Sequence, residues 1–257
     1  MSFKPSVVMG YSQNWYPKVE PVIPRVYHEY INDSAKENMY TMEELGADKA
    51  YFVSKPDTYK VFTYGGARVE LICEGPEKAE LLPGTMTENN IEKRVSVKNI
   101  GEKDAYVRVH IAIPKILDDN VPTFNAMYNM LHFNTKKEEL ATGKWNFSTS
   151  MDRPNQNYAA SGKWNFYVEN IDGEEYAVYV GTYETPLKTD EIAVDAIYQA
   201  YLDAKAVADD LVQVYKVLNS NEWEIKVAVE AVAVTEEDTD CLAAFDKVSP
   251  VGKKYVF

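Results

Sequence analysis

Between residues 51 and 113 the chain alternates apolar and polar side chains in short runs broken by turn residues, a pattern that commits it to sheet. The run from Tyr59 to Cys73 alternates around Gly65-Gly66. Ile91 to Asn99 alternates again with Val95 and Val97 on one face, and Ala105 to Ile113 resumes after the break at Gly101. Strands this short and this regularly punctuated bury every second residue against a facing sheet. The expected fold is therefore mainly β: an antiparallel β-sandwich or jelly roll over residues 50–257, with one long helix, a short C-terminal helix and an extended N-terminal arm.

The remainder of the chain is read by the same rules. Residues 114–142 form an irregular connection with a short helix near Thr123–Leu131. A pentapeptide then occurs twice, Gly143-Lys144-Trp145-Asn146-Phe147 and Gly162-Lys163-Trp164-Asn165-Phe166, each copy starting a strand. Alternation puts Trp145 with Phe147, and Trp164 with Phe166, on one face, as a core pair or as a platform for stacking sugars. Tyr176–Tyr183 is a further strand. Apolar residues from Ile192 to Tyr215 recur at helical spacing, so a helix is expected over residues 190–217, capped by Thr189 and stopped at Asn219. Glu222–Val234 is expected as one long strand. Thr235-Glu236-Glu237-Asp238 resembles a capping box opening a final helix, and Lys254–Phe257 could add an edge strand.

The first 49 residues differ from everything after them. Pro5, Pro17, Pro21 and Pro24 exclude a regular helix or central strand through the first half of the segment and favour an extended course. Yet Val7, Val8, Met9, Tyr11, Trp15, Tyr16, Val22 and Ile23 make it too apolar for a solvated tail. These eight residues are the expected assembly interface. Such an arm must bury itself on its own domain or on a neighbouring subunit.

The strand region also carries a likeness beyond its periodicity. Ala50-Tyr51-Phe52, the strand Phe62–Leu71, Leu82-Pro83-Gly84, Asn99-Ile100-Gly101 and Asp104–Val109 follow one another in this order. A late strand then carries Trp223, Ile225, Val227, Glu230, Ala231 and Val232. In this, residues 50–248 resemble the TasA and camelysin family of secreted fibre-forming proteins of Gram-positive bacteria. The resemblance implies a matrix or cell-surface fibre built by strand donation between subunits. Because some camelysin-group members are described as metallopeptidases, it also raises a zinc enzyme as an alternative.

Composition and motifs narrow the chemistry. A net charge of −13 opposes the phosphate neutralisation that sequence-independent nucleic-acid binding requires, and opposes docking on an anionic membrane. No apolar run approaches the length of a membrane span. Of the three histidines, His28 begins the string His28-Glu29-Tyr30-Ile31-Asn32, which has Asn where a zincin needs its second histidine. His110 and His132 have no acidic or cysteine neighbour at ligand spacing and read as structural. Cys73 and Cys241 could form one bridge, but their spacing is neither a disulfide framework nor a zinc site, and Cys73 reads as a small buried hydrophobe. Asp118-Asp119-Asn120 offers oxygen ligands for calcium without the spacing of an EF-hand. No nucleophile elbow or phosphate loop is present, so neither catalytic residue nor cofactor is expected.

These observations point to a non-enzymatic structural protein whose partners are copies of itself or other proteins of the same assembly. The amino terminus lacks the charged start, apolar stretch and cleavage site of an export signal. The setting expected on that ground is a virion, as a capsid-decorating or head-accessory protein. The alternatives are the extracellular or cell-surface fibre, the camelysin-type peptidase, and a carbohydrate-binding module.

Overall fold

A computed structural model describes residues 42–43, 45–85, 87–118, 130–134, 145–147, 166–249 and 257. The chain divides into two compact units, Met1–Asp48 and Lys49–Phe257. In the described part of the first unit, Ala47 N donates to Met42 O and Gly46 N to Glu43 O, both at 2.8 Å, closing a turn with Met42 and Ala47 buried.

The second unit is mainly β. Its described strands are β1 (Ala50–Val53), β2 (Lys60–Tyr64), β3 (Val69–Glu74), β4 (Lys78–Leu81), β5 (Pro83–Gly84), β6 (Ile91–Asn99), β7 (Ala105–Pro114) and β8 (Leu131–Asn134). They continue with β9 (Trp145–Asn146), β10 (Phe166–Ile171), β11 (Glu174–Tyr183), β12 (Ile197–Asp203), β13 (Glu222–Glu224) and β14 (Lys226–Ala233). Two α-helices are described, α1 (Ala208–Leu218) and α2 (Cys241–Val248). The largest sheet runs β10-β11-β7-β14-β2, with β9 also on β11. A second runs β3-β6-β12-β5 with β8 also on β12, and a small third runs β13-β1-β4. Most pairings are antiparallel; β1–β13, β5–β12 and β2–β14 are parallel. The arrangement is sandwich-like; its strand orders do not establish a jelly roll.

Alternation builds the core as the sequence implies. Val107, Val109, Ile111 and Ile113 of β7, with Val227, Val229 and Ala231 of β14, share one apolar cluster with Val95 and Val97 of β6 and Ile197 and Leu202 of β12. Each large side chain removed from water contributes about 1.5–3 kcal/mol before ordering costs. The opposite face of β7 is covered too, since all ten of its residues are buried. On that side Tyr106 and Val232 pack with Cys241, Ala244 and Phe245 of α2.

Four expectations require correction. The long helix is only its C-terminal part: residues 192–203 are extended, and α1 begins at Ala208. Ala193 N and Ala196 N donate to Val97 O and Val95 O along β6, at 2.8 and 2.7 Å. Apolar residues at helical spacing also fit a strand buried on both faces, and pairing to β6 overrides the alanine-rich propensity. Thr189 therefore caps nothing; Val207 holds the N-cap position, where its amide donates to Asp210 Oδ2 at 3.0 Å. Asn219 does end the helix, in the left-handed region at φ 50°.

The expected strand over residues 222–234 breaks at Ile225, whose amide donates to Val53 O at 3.1 Å, so that β13 joins the small sheet and β14 the large one. Thr235 and Asp238 do bond, the Thr235 amide and hydroxyl both donating to Asp238 Oδ2 at 2.9 Å, but they close a turn. Helix α2 opens later, with Asp240 accepting from Ala243 N at 2.8 Å. Leu131, expected to end a short helix, begins β8, and Met130 before it is a bend; residues 123–129 of that helix, like residues 254–256 of the expected edge strand, lie outside the described residues.

Gly65-Gly66 joins two strands as expected. It does so as a corner, carrying the chain from β2 in the large sheet to β3 in the second, with both residues at positive φ.

Candidate functional site

The eight residues named as the assembly interface, Val7, Val8, Met9, Tyr11, Trp15, Tyr16, Val22 and Ile23, lie outside the described residues, as does His28. The other sequence candidates can be placed. Trp145 is 4% exposed and Phe147 5%, so the first aromatic pair belongs to the core and offers no platform to a sugar. Trp145 Nε1 donates to Val194 O at 2.7 Å, and its ring meets Tyr183 edge-on. Phe147 lies so close to Gly181 that a Cβ there would sit 2.3 Å from the ring, which explains a glycine in mid-strand. Trp164 is outside the described residues. Asp118 is buried and accepts a hydrogen bond from Tyr179, while Asp119 and Asn120 of the calcium alternative lie outside the described residues.

Sequence spacing gave His110 and His132 no acidic partner; the fold gives each one. His132 Nε2 lies 2.9 Å from Asp203 Oδ2, and its ring stacks on Tyr201 at a centroid distance of 4.8 Å. Burial acts to raise the Asp203 carboxyl, but the His132 contact and the Lys205 amide outweigh it and lower its pKa.

The second cluster lies on the outer face of the large sheet. Arg108 and Glu230 are direct cross-strand partners on β7 and β14. Glu230 Oε2 accepts from Arg108 Nε at 2.6 Å and lies 2.7 Å from His110 Nε2, while Tyr64 donates to Oε1 at 3.1 Å. Burial alone would raise the Glu230 pKa, but His110 and Arg108 hold it down to about 2. Burial, with the Arg108 charge, lowers the pKa of His110, so the ring is neutral. A neutral ring donating from Nε2 to Glu230 leaves Nδ1 to accept from Tyr167, whose hydroxyl is 3.2 Å away. Arg108 also donates to Ser249 O and lies 4.3 Å from the Phe245 ring centroid, tying α2 to the sheet. Glu230 has no exposed surface. A carboxylate sealed and saturated in this way anchors structure and cannot reach a substrate.

This cluster has a pH signature. Glu230 has a depressed folded pKa, so its stabilisation is present above the ordinary carboxylate range and lost as pH falls from about 4.5 toward about 2. The loss amounts to roughly 3 kcal/mol. His110 acts in the same direction, because the unfolded chain takes up its proton below about pH 6.5 and the folded chain resists it. Burial raises the pKa of Glu169 and Glu174, which oppose this trend as those carboxyls titrate above about pH 4.5. Urea melts from pH 7 to pH 3 should therefore show falling stability, with the steepest loss below pH 4.5. A flat profile would contradict an ionised Glu230.

Neither cysteine is bridged. Cys241 is buried at the start of α2, which pushes its thiol up to about 12. Cys73 is half-buried on β3; burial raises its pKa, with Lys93 pulling the other way. Among the described residues no group of three or more metal-ligating side chains comes together, and no helix is long and apolar enough to cross a membrane.

The remaining feature is an edge. Strand β3 pairs with β6 on one side, from Val69 opposite Asn99 to Glu74 opposite Arg94, and ends the second sheet on the other. On its outer flank alternate residues present main-chain donors and acceptors with no strand beside them among the described residues. Beside it, a shallow groove of about 340 Å³ runs between Ile72 and Ile192 over Ser96, bordered by Glu74 and by Arg94 in contact with Asp195 at 2.9 Å. Exposed Glu70 and Glu74 blunt this edge, and Gly75-Pro76 ends it. Comparisons of the chain with family models, with curated protein sequences and with solved structures found no match.

Proposed function

We propose that this chain is a structural subunit, not an enzyme, which docks through residues 1–49 into a larger assembly of its own copies or of companion structural proteins. The observation that carries the reading is that β3 ends its sheet among the described residues, on a chain whose first 49 residues are apolar and proline-rich in sequence. Main-chain bonding to a strand edge supplies affinity, and alternate side chains supply specificity. The described polar clusters support the non-enzymatic reading, because the carboxylates that meet His110 and His132 hold the two rings within the fold.

A donor segment and an acceptor edge on one chain make a head-to-tail contact, and such contacts propagate as open filaments unless their rotation closes a ring. That favours a fibre subunit, the setting the TasA and camelysin resemblance also implies. The virion setting, as a capsid-decorating or head-accessory protein, uses the same arm on a closed shell. Electron microscopy separates the two, since a fibre subunit forms filaments alone and a decorating protein only coats a shell.

The test is the triple substitution of Val8, Trp15 and Ile23 by serine. The variant should keep a cooperative thermal transition and lose incorporation into filaments or particles. Wild-type occupancy in electron micrographs would overturn the reading.

A further inference from the structure

We propose that Cys73 and Lys93 form a modification site, in which a peroxide oxidises the thiol and the lysine amine captures the product as a sulfur–nitrogen bond tying β3 to β6. The inference uses only the described part of the second unit and stands apart from the assembly reading.

The placement follows from the register. Cys73 of β3 stands opposite Val95 of β6, and Lys93, two residues before that valine, projects from the same face of its strand. Diagonal neighbours of this kind lie roughly 7–8 Å apart, within reach of a long side chain. Gly75 presses so close to β6 that a Cβ there would sit 3.2 Å from Lys93 Cα, and it brings no side chain to that end of the seam. Cys73 is half-buried on a strand that ends its sheet among the described residues, so a molecule as small as a peroxide can reach its sulfur.

The lysine is the second observation. Lys93 shares the apolar face of β6 with Val95 and Val97, is 2% exposed, and makes neither a hydrogen bond nor an ion pair among the described residues. A lone ammonium is costly in such a place. Burial lowers the Lys93 pKa, while Cys73 and the exposed Glu77 pull it up; burial raises the Cys73 thiol, while Lys93 pulls it down. Each group therefore eases the ionisation of the other, and a proton passed from thiol to amine charges both at once. Tyr59, which also senses Cys73, is bonded to Ser54 at 2.7 Å and its pKa is raised by burial, so it stays protonated and takes no part.

The chemistry balances. The thiolate attacks a peroxide oxygen, the O–O bond breaks as sulfur gives up two electrons, and the departing hydroxide leaves as water with the ammonium proton. The neutral amine then attacks the sulfenic sulfur, forming the S–N bond and expelling hydroxide, which leaves as water with a proton from nitrogen.

The test treats the full chain with hydrogen peroxide, caps remaining thiols with iodoacetamide under denaturing conditions without reductant, and analyses tryptic peptides by mass. Val69–Lys78 should appear joined to Ala79–Arg94, two hydrogens lighter than the sum of the two peptides, and dithiothreitol should separate them. The same treatment in urea should give at least tenfold less of the joined species. In Lys93→Met the joined species should vanish, and dimedone should label the Cys73 sulfenic acid at least tenfold more than in wild type. If that variant does not fold, the comparison of folded and urea-unfolded wild type decides alone. Cys73 carried to sulfinic acid beside an unmodified Lys93, dimers through Cys73, equal yields with and without urea, or a thiol untouched by peroxide would each overturn the proposal.

Discussion

Replacing Glu230 with glutamine should lower the stability of the folded chain by about 3–5 kcal/mol, because it leaves the Arg108 charge buried without its counter-charge. The arginine cannot turn to water: it is 3% exposed, with Phe245 beneath it and Ser249 O as its other acceptor. Removing both charges together, as Arg108→Leu with Glu230→Leu, should recover a large part of the loss, since a buried ion pair is expensive to break and cheap to replace by apolar volume. Denaturant melts of the two variants decide the matter. A Glu230→Gln protein within about 1 kcal/mol of wild type would mean that the pair contributes nothing to holding α2 on the sheet.

Trp145→Ala should cost about 3–5 kcal/mol, the range for deleting a large aromatic from a packed core. The substitution removes the contacts with Tyr183 and Phe147 and leaves Val194 O without its indole donor. The same variant decides the carbohydrate reading. If Trp145 were a sugar platform, the alanine variant would remain stable and lose glycan binding on an array; the core placement requires loss of stability. A fully stable Trp145→Ala protein would contradict the burial of this residue.

The two variants show what the sequence could and could not convey. Strands with one face toward the core were legible as alternation, as in Ile91–Asn99 and in Val107, Val109, Ile111 and Ile113. The second face of β7 was not, because what covers Arg108 and His110 there, α2 and Tyr167, comes from distant parts of the chain. A signal existed: Glu230 sits alone in the otherwise small and apolar run Val227–Ala233, where a lone acid demands a cation nearby. Residues 192–203 failed for another reason, since a strand buried on both sides has no polar face from which to read a period of two. The break at Ile225 and the corner at Gly65-Gly66 are tertiary choices between sheets, to which local pattern is blind. The place of β3 at the end of its sheet among the described residues was likewise invisible, because being last in a sheet is a property of the topology and of no single residue.

The central claim, in the fibre setting favoured above, is that copies of this chain are held together by the amino-terminal segment, and sedimentation velocity across a concentration series tests it most directly. Wild-type chain should shift with concentration from a slow species to a broad distribution of fast ones. The Val8, Trp15 and Ile23 triple serine variant should remain a single slow species of unchanged melting behaviour at every concentration. A wild-type chain that stays one slow species throughout, or a triple variant that sediments like wild type, would contradict the account.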